Sequence, residues 1–354
     1  MAGLRIHNGS TGLFEREVDV RGMEGAIDFS SNLNPLGMPM QVVRAIKVAA
    51  ADFEVYPDPL CCDLAEAIAE HEGLEAGNVV VTAGVSDALA RLGIAMRLRK
   101  VLVCSPSYLG YEQALRPFWP RVVHHSLVAR ENFDVTERIV DYIEPDIDCV
   151  FLASPNNPTG RVIGLDLLDE ILQAADRLGV HVVVDESYIE LTEYPTCASL
   201  LDRHPSLIVL RGFSETYAMA GFRLGYCLCG QPDIAQAIRA AGQPWAVSAP
   251  AQVAGLAALD VPRYLDLSRE YVSKGRSDLS AGLAEAGMLV VPSDANFVLF
   301  KAELPLRDAL LERGVVVCSC EGFRGLDATW HRVCVRKHEE NAKFIKALRE
   351  VLMQ

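Results

Sequence analysis

Through the middle of the chain, short unbroken runs of Val, Ile and Leu alternate with longer amphipathic stretches, and this alternation constrains the fold most tightly. Asn78–Thr82, Val101–Cys104, Asp148–Ala153, His181–Asp185, Leu207–Arg211 and Leu224–Cys229 read as strands. The stretch after Thr82, Tyr108–Arg116 and Leu165–Leu178 read as helices. Strands covered on both faces are continuously apolar, whereas half-exposed ones alternate. The expectation is an α/β layer fold on a mainly parallel sheet. After about Pro250 the pattern changes to a smaller α+β unit. It comprises helices Ala251–Ala258, Tyr264–Gly287, Leu306–Arg313 and Glu339–Met353, with strands Met288–Val291, Asn296–Lys301, Val315–Ser319 and Trp330–Val335. The first ~40 residues hold no long periodic segment and predict an arm plus one strand. At ~150 residues per domain, the 354 residues divide into residues 1–44 (arm and part of the small domain), 45–248 (large domain) and 249–354 (small domain).

Lys plus Arg total 33 and Asp plus Glu 47, a net charge of −14, with no basic run to offset it. That balance argues against nucleic acid and anionic membranes as partners. An anionic ligand must then be held by a few local arginines and backbone amides. No apolar run approaches the ~20 residues that span a bilayer, and the N-terminal residues carry no leader-like apolar segment, so a cytoplasmic location is expected. The ten cysteines include no C-x-x-C pair matched to histidines, so no metal site is expected and the thiols read as reduced, small core residues. Only seven lysines are present, at 47, 100, 274, 301, 337, 343 and 346.

Four segments sit where loops leave strand ends. Ser154-Pro-Asn-Asn157-Pro158-Thr159-Gly160 follows Asp148–Ala153, at the strand end where ligands bind in such sheets. It reads equally as a plain turn. Val182-Val-Val-Asp185-Glu-Ser-Tyr188 ends a strand in a carboxylate, which is also a common helix cap. Thr82-Ala-Gly84-Val85-Ser86-Asp87 is a strand–glycine–helix junction whose amides and dipole suit a phosphate, though turn formation alone accounts for it too. Arg211-Gly-Phe-Ser214-Glu215 leads to Gly221-Phe-Arg223-Leu-Gly225, placing a hydroxyl and an arginine after a strand.

In order and spacing these segments resemble the large domain of fold-type I pyridoxal 5′-phosphate enzymes, the aspartate aminotransferase superfamily, over nearly the whole chain. The resemblance implies an aspartate-aminotransferase-like large domain with a mainly parallel seven-stranded sheet and a smaller α+β domain. It implies that Asp185 pairs with the pyridinium nitrogen, that Asn157 and Tyr188 bond the ring's 3′ oxygen, and that Tyr108 stacks on the ring. Gly84, Val85, Ser86, Ser214 and Arg223 would hold the phosphate. Tyr56, in Tyr56-Pro-Asp-Pro, would reach the phosphate of a neighbouring subunit, implying a homodimer with shared sites. Arg332 would clamp the substrate carboxylate. A surface ion pair is the alternative for that arginine, and its place on a strand between apolar residues makes it the weaker one.

Within the superfamily the sequence is similar to two branches, threonine-phosphate decarboxylases of cobalamin biosynthesis and histidinol-phosphate aminotransferases. His7-Asn8-Gly9, Asp28-Phe-Ser-Ser-Asn32-Leu-Asn34-Pro35-Leu-Gly37 and Cys320-Glu-Gly-Phe323-Arg324-Gly325 resemble the decarboxylases, with His-Asn-Gly where that branch has His-Gly-Gly. By that resemblance His7, Asn32, Arg324 and Arg336 are candidates for a phosphorylated amino acid's phosphate and carboxylate. Arg336 has Glu339 and Glu340 as alternative partners. The decarboxylase branch is the preferred reading.

One position departs from the superfamily. Its lysine follows the serine of the fourth segment, where this chain has Glu215. A carboxylate forms no imine, so the cofactor, as pyridoxal 5′-phosphate or pyridoxamine 5′-phosphate, would be bound non-covalently. Four accounts stay open: an inactivating substitution, a binding protein without turnover, Glu215 as a general acid or base, and loss of the cofactor. Retention of Asp185, Asn157, Tyr188 and Arg223 opposes the last. Delivering one proton to Cα after decarboxylation suits a buried glutamic acid better than the two-carbon proton shift of transamination.

Overall fold

The computed structural model describes residues 26–353, so His7 and its loop lie outside the described residues. Strand β1 (Ile27–Asp28) opens them. Seven strands then build the main sheet: β2 (Val79–Thr82), β3 (Lys100–Ser105), β4 (Arg121–Ser126), β5 (Cys149–Ala153), β6 (His181–Asp185), β7 (Leu207–Gly212) and β8 (Gly225–Cys229). They lie in the order β2-β8-β7-β6-β5-β3-β4. All pairs are parallel except those of β8, which runs antiparallel to β2 and β7. β5, β7 and β8 are buried along their whole length, which is why their sequences are continuously apolar.

β4 was not anticipated. It is an edge strand, half-exposed and interrupted by His124 and His125, so it lacks the apolar run that marks central strands. Tyr108–Arg116 is shorter as a helix than its apolar content implies: the α-helix covers Gly110–Leu115. Helix Leu165–Leu178 forms as expected, with Leu168, Ile171, Leu172 and Ala175 buried on one stripe. It stops at Gly179 (φ 69°), whose N–H bonds the Ala175 and Asp176 carbonyls.

A second sheet takes β9 (Leu289–Val290), β10 (Phe297–Lys301), β12 (Cys318–Ser319) and β13 (Trp330–Cys334) in the antiparallel order β12-β13-β10-β9. The predicted single strand Val315–Ser319 is two: β11 (Val315–Val316) pairs with β1 and β12 pairs with β13, so one apolar run serves two partners. Helices Pro262–Glu285 and His338–Leu352 accompany this sheet, and Phe29, Phe297, Phe300, Val333, Phe344 and Leu348 share its core. Phe29 thereby ties the N-terminal segment to the second sheet, its carbonyl accepting from Cys334 N at 2.9 Å.

The crossing of β8 over the start of helix Val85–Met96 is tight. A Cβ on Gly225 would lie 2.8 Å from the Arg211 carbonyl oxygen and 3.1 Å from both Gly84 Cα and Val85 N. Gly225→Ala should therefore cost about 1–3 kcal/mol, read as a lowered urea midpoint at constant slope. An unchanged midpoint would show that the crossing relaxes freely.

Candidate active site

The carboxyl ends of β5, β6 and β7, the start of helix Val85–Met96 and one strand of the second sheet meet around a set of buried polar groups. Asp185, last residue of β6, is 7% exposed. Its Oδ1 accepts from Ser187 N (3.0 Å) and Ser187 Oγ (2.5 Å), and its Oδ2 accepts from the Tyr111 hydroxyl (2.9 Å). Burial raises its pKa and these hydrogen bonds only partly offset that. Among the described residues no cation pairs with it.

Next to it lies an anion cradle. Val85 and Ser86 open a 12-residue helix, where the first amides have no intrahelical acceptor. Gly84 has φ 88°, and a Cβ there would meet the Arg223 guanidinium at 2.8 Å, so glycine lets the arginine close over the helix start. Arg223 Nη1 donates to the Ala220 carbonyl (2.9 Å) and to Ser214 Oγ (3.4 Å). Asp87 Oδ2 accepts from Ala83 N at 2.8 Å and holds the turn. Tyr108 stands beside this cradle with its hydroxyl near Ser86. Burial raises the phenol's pKa, and the Ser86 contact opposes that.

Arg332, on β13, is 2% exposed. One Nη donates to Asn157 Oδ1 and the other to the Ser30 carbonyl, both at 2.5 Å, and its guanidinium lies 5.6 Å from the Phe297 ring centre. Its Nε has no hydrogen-bond partner, and no carboxylate pairs with it among the described residues. Asn32 Nδ2 donates to the Tyr188 hydroxyl at 3.2 Å while Asn32 Oδ1 is left unpaired. A buried cation without a counter-ion beside unpaired polar atoms is a site for an anion.

Glu215 lies on the short helix Phe213–Thr216. Its Oε2 is 3.6 Å from where a Cβ on Gly212 would sit, near Val85 and Ser187. Asn34 fixes this helix: its N–H donates to the Glu215 carbonyl (3.0 Å), and its Nδ2 to the Thr216 carbonyl and Ser268 Oγ (both 2.8 Å). Among the described residues the Glu215 carboxyl makes no ion pair or side-chain hydrogen bond. Its pKa is raised from 4.5 to about 7, chiefly by burial and then by Asp185; its own backbone N–H, Arg223 and Arg332 pull the other way.

The remaining candidates lie in other surroundings. Tyr56 is 82% exposed and rests on Trp245, ring centres 5.1 Å apart. Arg324 is exposed, near enough to His124 to depress its pKa, although burial is the larger cause. Arg336 faces Glu340 across 3.6 Å, the helix-surface pairing its spacing allows. Tyr111, Ser187, Asn34 and the Ser30 carbonyl were not assigned roles from the sequence. Each lies in or beside a segment with a signal: Ser30 and Asn34 in Asp28–Gly37, Ser187 in Val182–Tyr188, and Tyr111 as the second tyrosine of Tyr108-Leu-Gly-Tyr111. Among the described residues no cluster of His, Cys, Asp and Glu is placed to hold a metal ion, and no helix is long and apolar enough to cross a membrane.

A carboxyl whose folded pKa exceeds its unfolded value stabilises the native state below the unfolded value, and that contribution is lost as pH rises through the folded one. For Glu215 the window runs from 4.5 to about 7. Glu215→Gln, neutral throughout, should gain about 2 kcal/mol over the parent near pH ~8 relative to pH ~5, after allowance for partial solvent exposure. Urea melts at both pH values measure this, and a pH-independent difference would remove Glu215 as the titrating group.

The chain is 31% identical over 332 residues to threonine-phosphate decarboxylase of Salmonella typhimurium, covering 92% of this chain and 91% of that protein. It is 33% identical over 337 residues to histidinol-phosphate aminotransferase of Methanothermobacter thermautotrophicus, covering 92% and 89%. Among solved structures, histidinol-phosphate aminotransferase of Sinorhizobium meliloti in complex with pyridoxal-5′-phosphate superposes with a TM-score of 0.82 at 25% identity, covering 93% of this chain and 91% of that one. Residues 24–348 match the family Aminotransferase class I and II, and the chain belongs to that pyridoxal-phosphate-dependent family.

Proposed function

We propose that this chain binds a pyridoxal- or pyridoxamine-type phosphate non-covalently, together with a phosphorylated amino acid. On this reading it is a relative of threonine-phosphate decarboxylase in which Glu215 stands where the covalent lysine would be. The observation that carries the reading is a set of buried charges without counter-ions among the described residues: Asp185 has no cation and Arg332 no carboxylate. When bound, the cofactor supplies a protonated ring that draws electrons from the Cα of the amino acid.

Asp185 accepts the ring N–H and keeps it protonated, and Ser187 and Tyr111 hold that carboxylate in place. Asn157 and Tyr188 bond the ring oxygen, and Tyr108 covers the ring face. Gly84, Val85 and Ser86, with Ser214 and Arg223, hold the phosphate. Arg332, oriented by Asn157 and the Ser30 carbonyl, takes the amino-acid carboxylate as a fork. Glu215, titrating near neutrality, holds a proton that it delivers to Cα once carbon dioxide has left. Asn32 contributes to the substrate site through its unpaired Oδ1. His7, Arg324 and Arg336 are proposed phosphate ligands, Arg336 by exchanging Glu340 for the ligand.

The second reading, a histidinol-phosphate-type aminotransferase, is favoured by the 33% identity to such an enzyme. Transamination asks one group to lift a proton from one carbon and return it to another, which a short carboxylate serves less well than a lysine. We further propose a homodimer that shares its sites through Tyr56, which is exposed, follows the exposed Val55 and rests on the exposed Trp245.

Borohydride treatment of the protein with pyridoxal 5′-phosphate should leave the intact mass unchanged, whereas Glu215→Lys should gain one reduced cofactor. An adduct on the parent protein would end the non-covalent reading. Carbon dioxide release from O-phosphothreonine should rise at least about tenfold in Glu215→Lys over the parent. Amine transfer from histidinol phosphate by the same variant would instead support the aminotransferase reading.

A further inference from the structure

We propose that Glu215 makes this site select the aminated cofactor, pyridoxamine 5′-phosphate, over the aldehyde form by acting as the counter-ion of its ammonium group. The inference rests on the cofactor reading above and concerns which form the chain's own residues accept.

Position comes first. On the cofactor ring, the carbon bearing the aldehyde or amine lies between the carbon bearing the ring oxygen and the carbon bearing the phosphate arm. In the protein, Glu215 directly follows Ser214, which accepts from Arg223 at 3.4 Å, and its Oε2 shares the surroundings of Gly212 with Val85 of the helix start and Ser187, the residue that holds Asp185. Its carboxyl feels Arg223 and Arg332, the latter bonded to Asn157, and Tyr188 in turn feels Glu215. Asp185, at the nitrogen end of the ring, is the nearest like charge. Asn34 grips the carbonyls of Glu215 itself and of Thr216 after it, which fixes the backbone that carries the carboxyl.

Charge pairing then discriminates the two forms. Arg223 matches the phosphate, Arg332 a substrate carboxylate and Asp185 the ring N–H, which leaves Glu215 as the one charge without a partner. The aldehyde form has no positive group to offer it. The amine form has one, on the carbon that Glu215 faces. Removing a carboxylate from water without a partner is costly, and pairing it with an ammonium recovers much of that cost. The aldehyde form is therefore accommodated only when Glu215 is protonated, whereas the amine form is held by ionised Glu215. The titratable and charged groups facing Glu215 are Asp185, Tyr108, Tyr188, Arg223 and Arg332. The two tyrosines stay neutral and the arginines charged across the working range.

The test is equilibrium binding of the two cofactor forms to the full chain, by calorimetry and fluorescence, from about pH 6 to about pH 8.5. The parent protein should bind pyridoxamine 5′-phosphate at least about tenfold more tightly than pyridoxal 5′-phosphate near pH ~8, with the ratio shrinking as pH falls through Glu215's titration. Amine binding near pH ~7 should release a proton, seen as a dependence of the heat on buffer ionisation. Glu215→Gln should bring the ratio to within about threefold and abolish that proton release, and Glu215→Asp should keep the sign of the preference. Equal affinity of the two forms in the parent, or a preference that survives in folded Glu215→Gln, overturns the inference and leaves the cofactor reading standing. Binding of neither form overturns both. Should Glu215→Gln not fold, the parent's ratio and its pH dependence decide alone.

Discussion

The guanidinium of Arg332 is the joint on which the site's geometry depends. From β13 it reaches Asn157 in the loop after β5 and the carbonyl of Ser30 in the segment after β1. Main sheet, second sheet and N-terminal segment thus converge on a single buried cation. Each contact is a charge-assisted hydrogen bond in a water-poor setting, where such bonds are strongest and least forgiving of displacement. Nearby bonds depend on the same convergence. Asn32, two residues beyond Ser30, donates to Tyr188, and Asn296 Nδ2 holds the Asn32 carbonyl at 2.8 Å. Asn34, two residues further, secures the helix that carries Glu215. One short extended segment thereby transmits the position of the second sheet to the centre of the site.

An acidic protein that holds anions must build local positive potential against its own field. With a net charge of −14, this chain has two arginines and a helix start available for that. Both arginines are held by neutral acceptors: Arg332 by an amide oxygen and a carbonyl, Arg223 by a carbonyl and a hydroxyl. Neutral acceptors fix a guanidinium without cancelling its charge, so its attraction for a ligand survives. Arg211 shows the contrast. It lies directly beneath the site between Glu72 and Glu186, both at 3.3 Å, and its charge is spent on the scaffold.

The main sheet was legible because its central strands are buried on both faces, and the apolar runs at β5, β6 and β7 mark their ends to within a residue. The anion cradle was legible because Gly84, Ser214 and Arg223 stand next to strand ends. Less visible were elements whose signals are weak or lie elsewhere in the chain. Helix Met40–Ala49 begins without a capping side chain, and helix Cys62–Glu72 has Cys61 at its cap position while Asp58, further back, accepts from Cys62 N at 2.6 Å, so the usual starting signature is missing. Tyr111 reaches Asp185 across 74 positions of sequence, and Asn34 reaches Thr216 across 182, so neither pairing can be read from spacing. Arg336 is the converse, since its partner Glu340 lies only four residues on, in the first turn of the helix that Arg336 precedes, and such a contact can be read from spacing.

The same electrostatics explain how a glutamate is tolerated at this position. A lysine ammonium here would sit between two arginines, and covalent bonding to a cofactor is what would remove its charge. Glu215 meets the opposite balance: Arg223 and Arg332 attract it while Asp185 and burial oppose it, and the result is a carboxyl poised near pH 7. Asp185 itself is buried with a raised pKa, supported by two hydroxyls and a backbone N–H and by no cation. For the protein alone that arrangement is a cost, because an ionised carboxylate is held away from water for no structural gain. A chain with no ring nitrogen to bind would be more stable with an amide or an apolar residue there. A buried aspartate with no cation among the described residues, an arginine held by neutral acceptors and a titrating glutamate are what the proposed ligand, with a positive ring, a phosphate and a group for Glu215 to meet, would satisfy.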